Sequence, residues 1–225
     1  MTPLNQTENL KSYIPLFATN VLMNYVGEDT DELLRADNHD DTELSRSIKQ
    51  NTDDGLVGTD NFRILEKYPR VADILLNKFK VAAQEFLSIS PEIDFLITTS
   101  WITKTEPGYD SQYHCHKNSW YSGVYYYGEY DDDMGGIEFK SPLDDLQQFL
   151  VPPTANHLAV APTWQLPVQK NILLFFPSYL KHRVTKNNSD KIRHSMAFNI
   201  IPLGWYGTGD SVMDTAWVEN YYKNL

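Results

Sequence analysis

The hydrophobic pattern divides the chain into a helical first third and a strand-rich remainder. Between Phe62 and Leu87, apolar residues recur at three- and four-residue spacing, which is typical of an amphipathic helix packed on a core. Pro69 suits the first turn of a helix better than its interior, so we expect it to start or break this helix. From Ile93 onward, β-branched and aromatic residues form short runs separated by Gly, Pro, Asn and Asp, as in strands joined by turns.

Eight segments of the remainder carry a strand pattern. They are residues 93–105, 112–117, 119–127, 136–140, 157–161, 171–177, 182–186 and 192–201. Short strands after a helical third predict a mainly β (α+β) fold, a β-sandwich or jelly roll with N-terminal helices packed outside. We expect one domain with three parts. These are a strand and helical support at 1–92, a jelly-roll core at 93–201 and a C-terminal extension at 202–225.

The last predicted strand has two chemically different faces. One face carries Met196, Phe198 and Ile200, and the other carries Arg193, Ser195, Ala197 and Asn199. The apolar face should meet a core. The polar face either lines a pocket or lies in water, and the pattern alone favours water because half-exposed strands are common.

Composition and charge narrow the choice of partners. The only cysteine, Cys115, excludes an intrachain disulfide and fits a reducing compartment. Thirty acidic against 19 basic residues give a net charge of −11, which disfavours nucleic acid as a partner. Neither a signal-peptide pattern nor an apolar run of the roughly 18–20 residues that a membrane span needs is present. We therefore expect a soluble, cytoplasmic protein with no membrane partner.

His114 and His116 are candidate metal ligands. Alternate residues of a strand face the same side, so two imidazoles spaced two apart can bind one ion. A third histidine, His182, follows the run ILLFFPS, and Arg193 lies eleven residues further on. A guanidinium is a planar fork that suits a carboxylate. This order of residues indicates a mononuclear iron site with an anchor for an anionic cosubstrate.

Several motifs, in this order, resemble those of the 2-oxoglutarate/Fe(II)-dependent dioxygenase superfamily. The matching stretches are PLFATNV (15–21), PGYDSQYHCHKNSWYSGVYYY (107–127), GGIEF (135–139), FFPSYLKH (175–182) and RHSMAFN (193–199). The chain looks closest to the small phage and bacterial branch of these oxygenases, which is distantly akin to prolyl hydroxylases. A phage-encoded member would act in the host cytoplasm.

The resemblance implies a double-stranded β-helix and a set of site residues. Fe(II) would be held by His114, His116 and His182. Arg193 and Ser195 would bind the distal carboxylate of 2-oxoglutarate, whose 2-oxo acid end chelates the iron. A tyrosine of the 119–127 strand often assists in related enzymes, and we assign this role to Tyr125 over Tyr127. Further candidates for the cofactor pocket are Ser122 and Asn199. The implied reaction consumes O2, hydroxylates an unactivated C–H bond and releases succinate and CO2.

One position departs from the superfamily pattern. Most members have His-x-Asp/Glu followed by a distant His, whereas His116 occupies the acidic position here, and Asp110 is the alternative source of a carboxylate. Two other functions therefore stay open. One is a three-histidine iron dioxygenase without 2-oxoglutarate, and the other is a non-catalytic metal-binding jelly-roll module. The substrate, whether small molecule or peptide, is not specified, and the N-terminal third could serve as a support or as a homodimer interface.

Overall fold

The computed structural model describes residues 18–27, 46–47, 56–59, 61–144, 155, 157–158 and 160–223. The strands in this part of the chain are β1 (Leu22–Tyr25), β2 (Arg46–Ser47), β3 (Leu56–Gly58), β4 (Asp94–Thr105), β5 (Tyr121–Tyr126), β6 (Gly136–Lys140), β7 (Thr163–Pro167), β8 (Ile172–Pro177), β9 (His182–Val184), β10 (Arg193–Leu203), β11 (Trp205–Tyr206) and β12 (Met213–Asp214). The α-helices are α1 (Pro69–Leu87) and α2 (Ala216–Lys223), and short 3-10 helices lie at Ile64–Lys67, Asp132–Met134 and Gly209–Ser211.

Two antiparallel sheets pack face to face. The larger has the strand order β1-β8-β5-β10-β4-β3-β2, and the smaller has the order β7-β6-β9. Val124 and Phe176 of the larger sheet share a buried cluster with Ile137 and Phe139 of the smaller one. This arrangement is the jelly roll that the sequence predicts. Neither helix in the described part of the chain has the length and apolar character needed to cross a bilayer.

Helix α1 covers the other face of the larger sheet. Pro69 occupies its first turn, where the missing N–H costs no hydrogen bond, and the helix ends at Ser88 in a left-handed conformation. Phe79 is fully buried, and its ring centroid lies 4.9 Å from that of Phe95 and 5.0 Å from that of Phe175. The predicted helix is therefore present from Pro69 onward, and a 3-10 helix precedes it.

Strand β10 runs through the middle of the larger sheet, between β5 and β4. Met196 and Phe198 are fully buried in the core beneath α1. On the opposite face, Arg193 is only 2% exposed and Asn199 is 9% exposed. The polar face of this strand therefore lies inside the protein. The expectation from the pattern alone, that it faces water, is wrong because the smaller sheet covers it.

Two predicted strands differ from the observed elements. In segment 112–117, His114 forms an isolated bridge with His182 and no continuous strand is present. Around 157–161 the chain turns, because the N–H groups of Val160 and Ala161 both donate to the carbonyl of His157. Leu158 and Val160, which suggested a strand there, are exposed, and the strand instead begins at Thr163.

We expect Gly123→Ala to destabilise the fold. A Cβ on Gly123 would lie 2.3 Å from Cζ of the fully buried Phe198 ring. Overpacking of this kind should lower the free energy of unfolding by about 1–3 kcal/mol, measured by urea denaturation. Gly27→Ala is the control, because a Cβ there meets nothing closer than 3.9 Å. Equal stability of the two variants would contradict the packing argument.

Candidate metal centre

Backbone hydrogen bonds bring the three predicted histidines together. The N–H of His114 donates to the carbonyl of His182, and the N–H of His182 donates back to that of His114, each over 2.9 Å. The N–H of His116 donates to the carbonyl of Ser178 over 2.9 Å. The three ring centroids lie between 4.4 and 5.3 Å apart, and one ligand nitrogen of each ring falls within 4.8 Å of the others. One metal ion can therefore be shared by all three rings.

Two of the imidazoles have a fixed tautomer. Nδ1 of His114 lies 2.9 Å from the carbonyl oxygen of Gln112, and Nδ1 of His182 lies 2.9 Å from that of Leu180. A carbonyl can only accept, so each Nδ1 carries the proton. Nε2 of both rings is left with its lone pair, which is the form of imidazole that binds a metal ion.

The surroundings keep the rings of His116 and His182 uncharged. Burial, with a smaller contribution from the neighbouring His114, lowers the pKa of His182 to about 3 and that of His116 to about 4. Both imidazoles are therefore neutral at physiological pH. A cation can bind without first displacing protons from them.

Asp110, the alternative carboxylate, does not join this cluster. Within the described residues, the His, Cys, Asp and Glu groups close enough to share an ion are the three histidines. Asp110 interacts electrostatically with Arg183 instead. The ligand set that the structure brings together is therefore three imidazoles.

The histidines line a cavity of about 390 Å³ between the two sheets. Strand β4 supplies Thr99, Trp101 and Thr103 to its wall, and β10 supplies Ala197 and Asn199. The ring of Trp101 lies 5.5 Å from that of His116. The two threonines were not among the predicted site residues, although their alternation with Trp101 along one strand was a usable signal.

Arg193 lies on the same face of β10 as the cavity-lining Ala197 and Asn199. Its Nη1 donates to the carbonyl of Met134 over 2.6 Å, and its Nη2 donates to that of Thr185 over 3.3 Å. Burial lowers its pKa, but a guanidinium stays protonated in proteins. No Asp or Glu among the described residues forms an ion pair with it. The interior therefore contains a buried positive charge held by neutral groups.

Tyr126, and not Tyr125, faces the interior with Arg193. Tyr126 lines the cavity, and its buried hydroxyl has no hydrogen-bond partner. Tyr125 lies in the core beneath α1, where its hydroxyl donates to Oδ1 of Asn171 over 2.9 Å. The assignment of Tyr125 to the site is therefore corrected. The alternation of side chains cannot be carried from the histidines to β5, because the loop between them, where Asn118 has φ +58°, changes which residues share a face.

The other predicted pocket residues form a polar chain at the cavity wall. The hydroxyl of Ser122 donates to Oδ1 of Asn199 over 2.8 Å and lies 2.9 Å from that of Ser178, while Nδ2 of Asn199 donates to Thr99 over 2.9 Å. Because the carbonyl of Ser178 also accepts the His116 N–H, this chain supports the histidine segment. Ser195 is half-buried on the Arg193 face of β10, and its contact with a cosubstrate stays a prediction.

Comparison with known proteins bears on this site. Residues 99–199, which include the three histidines and Arg193, match a family described as "Putative 2OG-Fe(II) oxygenase". No curated protein matches the sequence. The match confirms the resemblance to the 2-oxoglutarate/Fe(II)-dependent oxygenases, and placement in their phage and bacterial branch stays a prediction.

Solved structures share the fold. A 2OG-Fe(II) oxygenase family oxidoreductase from Burkholderia pseudomallei is similar with a TM-score of 0.54 and 13% identity, covering 80% of this chain and 84% of its own. The α-ketoglutarate-dependent epimerase SnoN of nogalamycin biosynthesis has a TM-score of 0.61 and 11% identity, covering 88% and 89%. HygX from Streptomyces hygroscopicus, with nickel and 2-oxoglutarate bound, has a TM-score of 0.53 and 9% identity, covering 82% and 83%. At these identities the likeness concerns the fold alone.

We expect His182→Ala to abolish metal binding. The substitution removes the most buried of the three ligands and leaves two imidazoles on a loop segment. Anaerobic titration with Fe(II), followed by metal analysis of the desalted protein, should show about one equivalent in the wild type and almost none in the variant. The exposed His157 supplies the control, since His157→Ala should bind like the wild type. Full metal binding by His182→Ala would refute the three-histidine site.

Proposed function

We propose that the protein is a non-haem Fe(II)- and 2-oxoglutarate-dependent dioxygenase that hydroxylates an unactivated C–H bond and releases succinate and CO2. One observation carries the proposal. Three imidazoles converge in a cavity, and a buried arginine without a described carboxylate partner lies on the strand that lines it. We call the three histidines the metal-binding pole and Arg193 the anion-binding pole. Together they match a cosubstrate that chelates iron at one end and carries a carboxylate at the other.

The burial of Arg193 supports the anion-binding pole. A buried charge is costly unless a partner compensates for it, and two backbone carbonyls use only two of the five guanidinium N–H groups. The hydroxyl of Tyr126 is a second donor without a partner, and it too is buried. Both gain a partner if the distal carboxylate of 2-oxoglutarate binds between them, so these two donors fit this ligand.

The donor set of the metal pole fits ferrous iron. Imidazole is a common iron ligand, and three neutral rings leave a ferrous ion with its charge of +2. The dianion 2-oxoglutarate would cancel that charge in the protein interior. Iron and 2-oxoglutarate, when bound, supply the oxidising chemistry with O2, while the described residues hold them in place and exclude water.

The substrate would approach along the wall that carries Phe62 and Trp101. Both side chains line the cavity, and Phe62 is 48% exposed, which places it where the cavity opens. Apart from the histidines, the cavity-lining side chains of the described residues carry no ionisable group other than the thiol of Cys115 and the phenol of Tyr126. We infer that the reacting part of the substrate, in a small molecule or a peptide side chain, is uncharged.

An anaerobic titration tests the proposal. We expect addition of Fe(II) and then 2-oxoglutarate to give a weak visible charge-transfer band that saturates near one equivalent of each, as a single chelated site requires. Arg193→Met keeps an unbranched side chain but removes the guanidinium group and its charge. We expect it to bind Fe(II) normally and to need at least tenfold more 2-oxoglutarate for the same band.

The other outcomes separate the alternatives. Iron binding without the band would favour a three-histidine dioxygenase that uses no 2-oxoglutarate. Failure of the wild type to bind iron would refute the proposal and leave a non-catalytic module. A wild-type band that Arg193→Met does not weaken would keep the cofactor but remove Arg193 as its anchor.

A pair of tyrosine variants distinguishes the two faces of β5. We expect Tyr126→Phe to weaken 2-oxoglutarate binding several-fold without loss of stability, because the deleted hydroxyl has no hydrogen-bond partner in the protein. We expect the reverse for Tyr125→Phe, which should lose about 1 kcal/mol of stability with its Asn171 hydrogen bond and keep its affinity. Band titrations and urea denaturation measure the two quantities. Weaker binding by Tyr125→Phe alone would overturn the assignment of Tyr126.

A further inference from the structure

The outer face of the smaller sheet carries a compact polar cluster that the metal site itself does not use. It consists of Tyr113, Glu138 and Arg183, and we call it the outer clamp. Tyr113 and Arg183 directly precede and follow the metal-binding histidines His114 and His182 in the chain. Both histidines line the cavity, whereas Tyr113 and Arg183 lie outside its wall and contact Glu138 instead.

A single carboxylate oxygen joins the two flanking residues. Oε1 of Glu138 accepts a hydrogen bond from the Tyr113 hydroxyl over 2.5 Å and another from Nε of Arg183 over 2.6 Å. The guanidinium of Arg183 also lies over the Tyr113 ring, 5.0 Å from its centroid. Oε2 of Glu138 is 3.5 Å from the Thr163 hydroxyl on β7. Strand β6, on which Glu138 lies, is thereby tied to both histidine-bearing segments.

The main-chain pairing between these two segments is short. Strand β9 has three residues, and the His114 segment contributes an isolated bridge to it. Elements this short gain little from their own ladder and depend on side-chain contacts across the sheet. The Glu138 side chain is only 16% exposed, so its hydrogen bonds are partly shielded from water. The clamp therefore adds side-chain hydrogen bonds to the main-chain bonds that join the two histidine-bearing segments.

The hydrogen bonds of the outer clamp keep the Glu138 carboxyl ionised near neutral pH. Burial alone would raise the pKa of Glu138, but hydrogen bonds from Tyr113 and Arg183 outweigh it and leave this pKa below its usual value. The glutamate accordingly remains an acceptor for both hydrogen bonds.

We propose that Glu138 is a positioning residue for the metal centre, which sets the spacing of His114 and His182 from the outer face through Tyr113 and Arg183. The inference rests on the proposed metal site but not on 2-oxoglutarate or on turnover. It predicts that the clamp controls the affinity and geometry of metal binding without any contact between Glu138 and the ion.

Titration with Co(II), whose visible spectrum reports coordination geometry, tests this role. We expect Glu138→Ala to weaken Co(II) binding on the order of tenfold and to change the visible band, as loss of outer support does at other metal sites. Tyr113→Phe should lose part of the affinity, because only the link to the His114 segment is broken. Glu138→Gln keeps an acceptor oxygen without the charge, so it should recover part of what Glu138→Ala loses.

The control removes a comparable ion pair elsewhere. Asp94→Asn breaks the Lys80–Asp94 pair beside α1 and should leave Co(II) affinity and spectrum unchanged. A metal-free measurement supplements the titration. In Glu138→Ala, the amide protons of His114 and His182, which bond across the bridge, should exchange faster, while the amides of β10 should not change.

The outcomes are distinct from those that test the proposed function. Wild-type Co(II) affinity and spectrum in Glu138→Ala would overturn the clamp, as would a loss of affinity accompanied by uniformly faster exchange across the protein, which indicates general destabilisation. A wild-type protein that binds metal but no 2-oxoglutarate would refute the dioxygenase and leave the clamp standing. A wild type that binds no metal would refute both.

Discussion

The architecture depends on strand β10, because its two faces lie in two different environments, an apolar core and a polar interior. One face supplies Met196 and Phe198 to the core beneath α1, and the other places Arg193 and Asn199 between the sheets. A slip of one residue would move the guanidinium into the aromatic core and the methionine into the cavity. Pairing with β4 along its whole length and with β5 on the other side prevents that slip. The hydrophobic core thus stabilises the burial of a charge that would be unfavourable by itself.

The polar groups of the interior are arranged to receive charges that a ligand would supply. The imidazoles of His116 and His182 are kept neutral by burial, and the guanidinium of Arg193 is held by carbonyls and not by a carboxylate. Neutral ligands favour the arrival of a cation, and an uncompensated guanidinium favours the arrival of an anion. A dicarboxylate that also chelates the cation meets both demands in one molecule. This is why geometry supports a cosubstrate even though the ligand set lacks the usual acidic residue.

The sequence predicted the features that depend on local pattern or on residue type. The jelly roll, helix α1 and the clustering of the three histidines are confirmed. The predictions failed where the face on which a side chain lies, or its exposure, depends on contacts between residues far apart in the sequence. Tyr125 and Tyr126 are chemically identical neighbours, and only the register of β5 between β8 and β10 decides which one faces the cavity. Leu158 suggested a strand but is 72% exposed in a turn, because periodicity does not show what a residue packs against.

The fold alone does not determine the reaction, which depends on the side chains of the cavity wall. Solved structures that share this fold include proteins named as an epimerase and as a carbocyclase, so the scaffold alone does not fix what happens to a substrate. The histidines and Arg193 would hold groups common to such chemistry, whereas β4 contributes Thr99, Trp101 and Thr103 to the remaining wall. Hydroxyl groups and a flat indole select by hydrogen bonding and shape, not by charge. An exchange at Thr103, which contributes no ligand and lies outside the polar chain that supports His116, should therefore alter how a substrate is presented without disturbing metal binding.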